Sequence, residues 1–143
     1  MAKTPLNYTQ LHATCVSVDG KGVLLLGKSG SGKSDLALRL IDGGTKLVAD
    51  DRVDIKKTGK NLIASAPARL YGLLEIRGVG ILKFPALKQL TLALAINLVA
   101  RNEIERMPEQ QFFNCLGLQL PLLSLYAFDI STPAKIRAVI TRL

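Results

Sequence analysis

The sequence predicts an α/β fold, a mixed sheet with flanking helices, in one domain covering residues 1–143. Three observations carry this reading. The apolar run "VLLL" (residues 23–26) passes straight into a glycine-rich loop and then into an amphipathic pattern, the order strand, loop, helix. A second apolar run, "TKLVADD" (residues 45–51), follows that helix and ends in two acids. The chain closes on "TPAKIRAVITRL", whose Thr-Pro start suits a helix N-terminus.

The elements follow in order. "HATCVSV" (residues 12–18) is rich in β-formers, so His12 is expected to open the first strand, and "DGKG" reads as a hairpin turn. Residues 23–26 are continuously apolar, as in a strand buried on both faces. In "SDLALRLIDGG", Leu36, Ala37, Leu40 and Ile41 share one helical face, while Asp35, Arg39 and Asp42 point elsewhere. Gly43 or Gly44 supplies the left-handed residue that closes the helix. "RVDIKK", the turn "TGKN" and "LIASAP" read as a β-hairpin. "LEIRGVGI" (residues 74–81) reads as a loop with strand flanks. In "LTLALAINLV", Leu90, Leu92, Leu94, Ile96 and Leu98 recur at period two and predict a strand, with helix as the competing reading because Ala and Leu favour it. A further strand is expected within residues 118–128 and a helix over residues 132–143, with Thr132 as its N-cap.

Composition narrows the class. With 48% hydrophobic residues, 143 residues can build a core without disulfides or a structural metal. No apolar run approaches the roughly 20 residues that span a bilayer, so no membrane role is expected. "MAKTPLNYTQ" lacks the apolar core of a secretory signal. Cys15 and Cys115 form no metal-binding spacing and read as reduced thiols of a cytoplasmic protein. The net charge of +8 fits a solvated basic surface or attraction to a nucleotide or an acidic protein. The basic residues are scattered, and four Phe and three Tyr make no base-stacking pattern, so a nucleic-acid partner is not expected.

The loop "GKSGSGKS" (residues 27–34) satisfies G-x-x-x-x-G-K-[ST] in full, in the setting of a P-loop nucleotide-binding site. Phosphate oxygens must approach several backbone N–H groups at once, and Cβ atoms would block them. Gly27, Gly30 and Gly32 remove that obstacle, and Lys28, Ser29 and Ser31 contribute their backbone to the cradle. Lys33 is placed to reach the β- and γ-phosphates and Ser34 to ligate Mg²⁺, with ATP as the ligand. Asp50 and Asp51 end the next strand. Adjacent side chains of an extended chain point opposite ways, so one carboxylate can face the metal and the other a substrate hydroxyl. Glu75 reads as a metal ligand or as the partner of Arg77. His12 and Arg106 taken alone are ordinary residues.

The segment "LHATCVSVDGKGVLLLGKSGSGKSDLALRLIDGGTKLVADDRVDI" followed by "LLEIRGVGI" closely resembles the catalytic, C-terminal-type domain of HPr kinase/phosphorylase, from about Leu11 to Leu82. The resemblance implies ATP- and Mg²⁺-dependent phosphorylation of a serine in HPr, the phosphocarrier protein of a bacterial phosphotransferase system. It implies a nucleotide-binding fold like that of phosphoenolpyruvate carboxykinase, and a homo-oligomer. It makes His12 the active-site histidine and Lys33 the loop lysine, and gives Ser34 and Glu75 the Mg²⁺ positions. The general base lies in the acid pair, Asp51 ahead of Asp50, and Arg106 matches a downstream catalytic arginine. Two departures stand out. The expected catalytic domain starts almost at residue 1, as in short forms without a separate N-terminal domain. The family's basic, glycine-containing segment near the C-terminus is replaced by "LPLLSLYAFDISTPAKIR", which puts phosphorylase activity in doubt. Outside this family, the same loop would serve another P-loop ATPase or small-molecule kinase, or a nucleotide sensor without turnover.

Overall fold

The computed structural model describes residues 7–143; residues 1–6, part of the stretch read above as no secretory signal, lie outside the described residues. Nine strands form one mixed sheet and two more form a small separate hairpin. Strand β1 (Tyr8–Leu11) precedes β2 (Thr14–Val18), β3 (Lys21–Leu26), helix α1 (Lys33–Asp42) and β4 (Lys46–Ala49). The middle of the chain gives β5 (Val53–Thr58), β6 (Asn61–Ser65), β7 (Leu73–Ile76), β8 (Gly80–Lys83) and the long β9 (Gln89–Leu98). β10 (Gln111–Cys115), β11 (Leu118–Leu125) and α2 (Thr132–Ile140) complete it. Among the described residues no helix is long and apolar enough to cross a membrane.

The sheet order is β1-β5-β6-β9-β3-β2-β4, with β11 pairing the C-terminal half of β9 and β10 pairing β11. β9 runs parallel to β3 and to β11. β2 is antiparallel to both β3 and β4, so β4 points the same way as β3. The C-terminal ends of β3, β4, β9 and β11 therefore reach one common edge. In sheets of this kind ligands bind at that edge.

Local chemistry explains the turns. The expected "DGKG" hairpin is present, with Asp19 and Gly20 at φ 50° and 76°. Two successive left-handed residues make the tight turn whose twist matches the strands. Leu116 and Gly117 do the same between β10 and β11, although a leucine pays a steric cost there. β10 and β1 were not anticipated. Both are short and largely exposed, with no clean alternation of apolar and polar residues.

β9 is a strand, not a helix, but its period-two series changes face. Gly22 pairs with Leu92 while Val23 pairs with Leu94, so Ala93 is the extra residue of a bulge. Beyond it, Leu94, Ile96 and Leu98 join the core under the helices, with Val16, Val23, Leu25, Leu36, Leu40 and Ile136. Before it, Leu90 and Leu92 face a second core, with Cys15, Leu24, Ile55, Leu62 and Leu120. The bulge depends on Gly22, where a Cβ would lie 2.7 Å from the Thr91 carbonyl oxygen. Both helices lie on the first face, and the curled β5–β6 and β10–β11 strands cover the second. The flanking helices thus share one side.

α1 buries Leu36, Ala37 and Leu40, with Ile41 at the margin of the same core. Gly44, at φ 108°, is the left-handed residue after it. At α2 the cap lies one residue earlier than expected. Ser131 is the N-cap, and Thr132 instead donates its hydroxyl to the Tyr126 carbonyl at 2.5 Å.

Candidate active site

The candidate residues of the loop, the acid pair and His12 converge at the common strand edge because each follows or precedes a strand that starts or ends there. The phosphate loop leaves β3, Asp50 and Asp51 leave β4, and His12 sits in the bend just ahead of β2 rather than opening it. Glu75 comes from the separate β7–β8 hairpin, which pairs Glu75 with Ile81 across a turn at Arg77, Gly78 and Val79. Together they line a cleft of about 660 Å³.

The loop is shaped by its glycines. At Gly27, with φ 152°, a Cβ would meet the Ser31 hydroxyl at 2.5 Å. At Gly32, with φ 100°, it would meet Ala127 Cβ at 2.7 Å and Phe128 Cζ at 2.8 Å. Ser29, Gly30, Gly32, Lys33 and Ser34 face the cleft. Lys28 is exposed, and its carbonyl accepts from Lys33. The Ser31 hydroxyl is buried without a hydrogen-bond partner. A buried hydroxyl left unpaired is costly, and a loop gripping an anion offers one remedy.

Lys33 is almost fully buried, and its Nζ donates to the Gly27 and Lys28 carbonyls at 2.7 and 3.1 Å. Burial pushes this ammonium below the ordinary lysine range, and the Asp50 and Asp51 charges pull it part of the way back. An ammonium has three donors, so one remains for a ligand.

The two acids divide as their backbone dictates. Asp50 is buried, and its Oδ1 accepts from Thr14 Oγ1 and from Ser34 Oγ, each at 2.8 Å. Its Oδ2 accepts from the Glu75 backbone N–H at 3.3 Å. Asp51 has φ 70°, a left-handed conformation that Asp tolerates better than most residues. That twist turns its carboxylate outward, 62% exposed, where Oδ1 lies 3.0 Å from His12 Nε2. Oδ2 of Asp51 has no protein partner among the described residues.

The donor set suits a small hard cation. Ser34 Oγ and the Asp50 carboxylate are already in contact, the Glu75 carboxylate lines the same cleft, and every candidate atom is oxygen. Among the described residues no three His, Cys, Asp or Glu side chains cluster as a complete metal cage. The oxygen donors of Ser34, Asp50 and Glu75 suit Mg²⁺, which takes one or two carboxylates and completes its shell with phosphate and water. Glu75 makes no ion pair with Arg77, the alternative weighed above.

Of the residues expected in the site, His12, Lys33, Ser34, Asp50, Asp51 and Glu75 come together with the loop. Arg106 does not. It is exposed in a bend beyond the short 3-10 turn Arg101–Glu103 and does not line the cleft. Arg101 instead binds Asp129 at 2.8 Å and lies 4.9 Å from the Tyr126 ring centre. Sequence reasoning missed Thr14, whose buried hydroxyl fixes Asp50, and Phe128, which lines the cleft beside Gly32. Thr14 lies two residues after His12 in a β-rich run, and nothing local marks it. Phe128 closes the range in which a strand is expected, which is the one signal that could have drawn attention to it.

Comparison with known proteins adds a consistent picture. The family model described as the HPr serine kinase C-terminal domain matches residues 4–132. The chain is 43% identical over 111 residues to the HPr kinase/phosphorylase of Clostridium tetani, covering 77% of this chain and 36% of that protein. It is 36% identical over 149 aligned positions to that of Cupriavidus metallidurans, covering 93% of this chain and 46% of the relative. The chain thus spans less than half the length of these curated relatives. The solved structure of the HPr(Ser) kinase/phosphatase from Coxiella burnetii superposes with a TM-score of 0.84 at 30% identity, over 94% of this chain and 95% of that one. The structural likeness therefore continues well past Leu82, where the motif resemblance fades.

Proposed function

The chain belongs to the HPr serine kinase C-terminal domain family, and on that premise we propose that it is an ATP-dependent protein serine kinase whose acceptor is an HPr-type phosphocarrier protein. The observation that carries this is the split of the acid pair beside the phosphate loop. Asp50 is buried on Ser34, while Asp51 turns a free carboxylate oxygen toward the open cleft. A plain ATP-binding module has no need of the second arrangement.

In this reading the backbone of residues 27–34 and the remaining Lys33 donor hold the triphosphate, as in the phosphoenolpyruvate carboxykinase-type fold that the sequence resembles. Mg²⁺, when bound, neutralises charge on the β- and γ-phosphate oxygens, and Ser34 and Asp50, with Glu75 across the cleft, are the residues that would hold it. Asp51 Oδ2 takes the proton of the acceptor serine as its oxygen bonds to the γ-phosphorus and ADP leaves. His12, on the other oxygen, holds the carboxylate in that orientation. The chain's work is positioning and charge stabilisation, the main source of rate in phosphoryl transfer. Self-association into a homo-oligomer belongs to the same proposal and rests on the family resemblance. The phosphorylase reaction stays outside it, because the basic, glycine-containing segment that the family resemblance links to that activity is not recognisable in residues 120–137.

The test is transfer of label from [γ-³²P]ATP with Mg²⁺ to HPr of the same organism. Phosphoserine on HPr is expected. ATP hydrolysis without labelled HPr would make the protein a different ATPase, and nucleotide binding with no turnover would make it a sensor.

A further inference from the structure

The cleft is larger than a phosphate site needs, and its far wall has no assigned role. Phe128 stands there, half exposed, in the turn that follows β11. Among the described residues it is the one Phe, Tyr or Trp side chain lining the cleft. Its ring edge lies against Gly32, the last loop residue before Lys33, where any Cβ would collide with it.

The segment carrying this ring is fastened to the loop's own helix. Arg39 of α1 donates to the Ala127 carbonyl and pairs with Asp35 at 3.0 Å. Arg101 holds Asp129 at 2.8 Å, and Thr132 holds the Tyr126 carbonyl. Tyr126 packs edge-on to Phe128, with ring centres 5.6 Å apart. The residues on either side of the ring are thus held in place. Asp35 and Leu38 of α1 and the turn of the β7–β8 hairpin line the same cleft. The acids that mark the reacting end bind Thr14, Ser34 and His12.

Resting on the nucleotide reading above, we propose that Phe128 is the platform on which the nucleotide's base stacks. The triphosphate runs along the loop from the acid pair, and the base lies past Ser34 over Asp35 and Leu38, against the ring. Aromatic rings stack on the π-face of any base, so the platform supplies affinity with little selectivity among bases.

The test compares ATP with inorganic tripolyphosphate, which carries the phosphates without the base, by calorimetry. Wild-type protein should bind ATP more tightly than tripolyphosphate. F128A should weaken ATP about tenfold or more while moving tripolyphosphate less than about twofold, the range expected for one lost stacking contact. F128L, which keeps apolar packing on Gly32, should lose ATP affinity in the same direction. The chain contains no tryptophan, so F128W adds a single fluorophore. ATP should quench its emission and tripolyphosphate should not. Equal losses for both ligands in F128A, equal wild-type affinities, or identical F128W spectra overturn the platform while leaving the phosphate site standing. A wild-type protein that binds neither ligand overturns the nucleotide reading itself, and the platform with it.

Discussion

Replacing Asp51 with asparagine separates the proposed base from everything else the residue does. The backbone there sits at φ 70°, and asparagine accepts that conformation about as readily as aspartate, whereas alanine would add strain. The carboxylate is exposed, and an exposed ion pair such as His12–Asp51 contributes under about 1 kcal/mol to stability. The melting temperature should therefore change little. The neutral amide keeps an oxygen for His12 but cannot accept the serine proton. Loss of a general base costs about 10²–10⁴ in rate. That corresponds to roughly 3–5 kcal/mol on the barrier, at 1.36 kcal/mol per tenfold.

The assay is steady-state phosphorylation of HPr by D51N, alongside ATP affinity and thermal melting of the same preparation. Turnover should fall at least about 100-fold, with ATP affinity within about threefold of wild type. D50N is the contrast. It removes the charge that accepts from Ser34, Thr14 and the Glu75 N–H, so it should lower both stability and Mg²⁺-dependent ATP affinity. If D51N turns over like wild type, Asp51 is not the base and the outward-facing carboxylate loses its meaning. If D50N alone abolishes turnover without loss of ATP or stability, the two roles are reversed.

Three further outcomes follow from the same geometry. Gly32→Ala should destabilise the protein by about 1–3 kcal/mol in urea unfolding, since its Cβ meets Ala127 and Phe128 below 3 Å at a left-handed φ. Neither cysteine should react with a thiol reagent in the native protein near neutral pH, because burial pushes the Cys15 thiol up to about 12 and raises Cys115 as well; both should react once the chain is unfolded. The Lys33 ammonium titrates lower folded than unfolded, so between those two values the unfolded chain binds more protons and the lysine's contribution to ligand-free stability rises with pH. Relative to K33M, the wild-type unfolding free energy should rise with pH toward the ordinary lysine value of about 10.4, on top of the fall that the raised thiols of Cys15 and Cys115 impose on both proteins; parallel profiles would show that Lys33 is not the group responsible.

The sequence was most legible where local physics leaves few options. The phosphate loop needs glycines at positive φ, and the run before it needs two buried faces, so both could be read from a dozen residues. The acid pair was legible as a pair, and its split was foreseen from strand alternation. The structure gives another cause for that split: the strand has already ended at Ala49, and the left-handed twist at Asp51 turns the side chain outward. The period-two series of β9 was right about the strand and wrong about its face, because one extra residue at Ala93 reverses the alternation. Nothing in residues 90–98 records that bulge. It is recorded in Gly22, on the neighbouring strand, seventy residues away in sequence. Arg106 failed for a related reason. A lone arginine in a charged segment carries no sign of where its loop will run.

What could not be read locally is the reason the site exists. Thr14, Ser34 and the Glu75 N–H come from three separate elements, and they meet on the carboxylate of Asp50, which follows a fourth. Each contact alone is an ordinary hydrogen bond, about 1 kcal/mol net and somewhat more to a charged acceptor. A buried carboxylate is nonetheless expensive unless such donors surround it. The fold must therefore bring the four elements together before the charge is tolerable, and a shift in any one leaves it underpaired. This ties the geometry of the acid to the register of the whole strand edge. Asp51 escapes the constraint by turning outward, and that freedom leaves it able to exchange a proton. A rigid, satisfied carboxylate beside a loose, exposed one is thus a consequence of where the strand ends, and the chemistry proposed for the pair follows from that difference in burial.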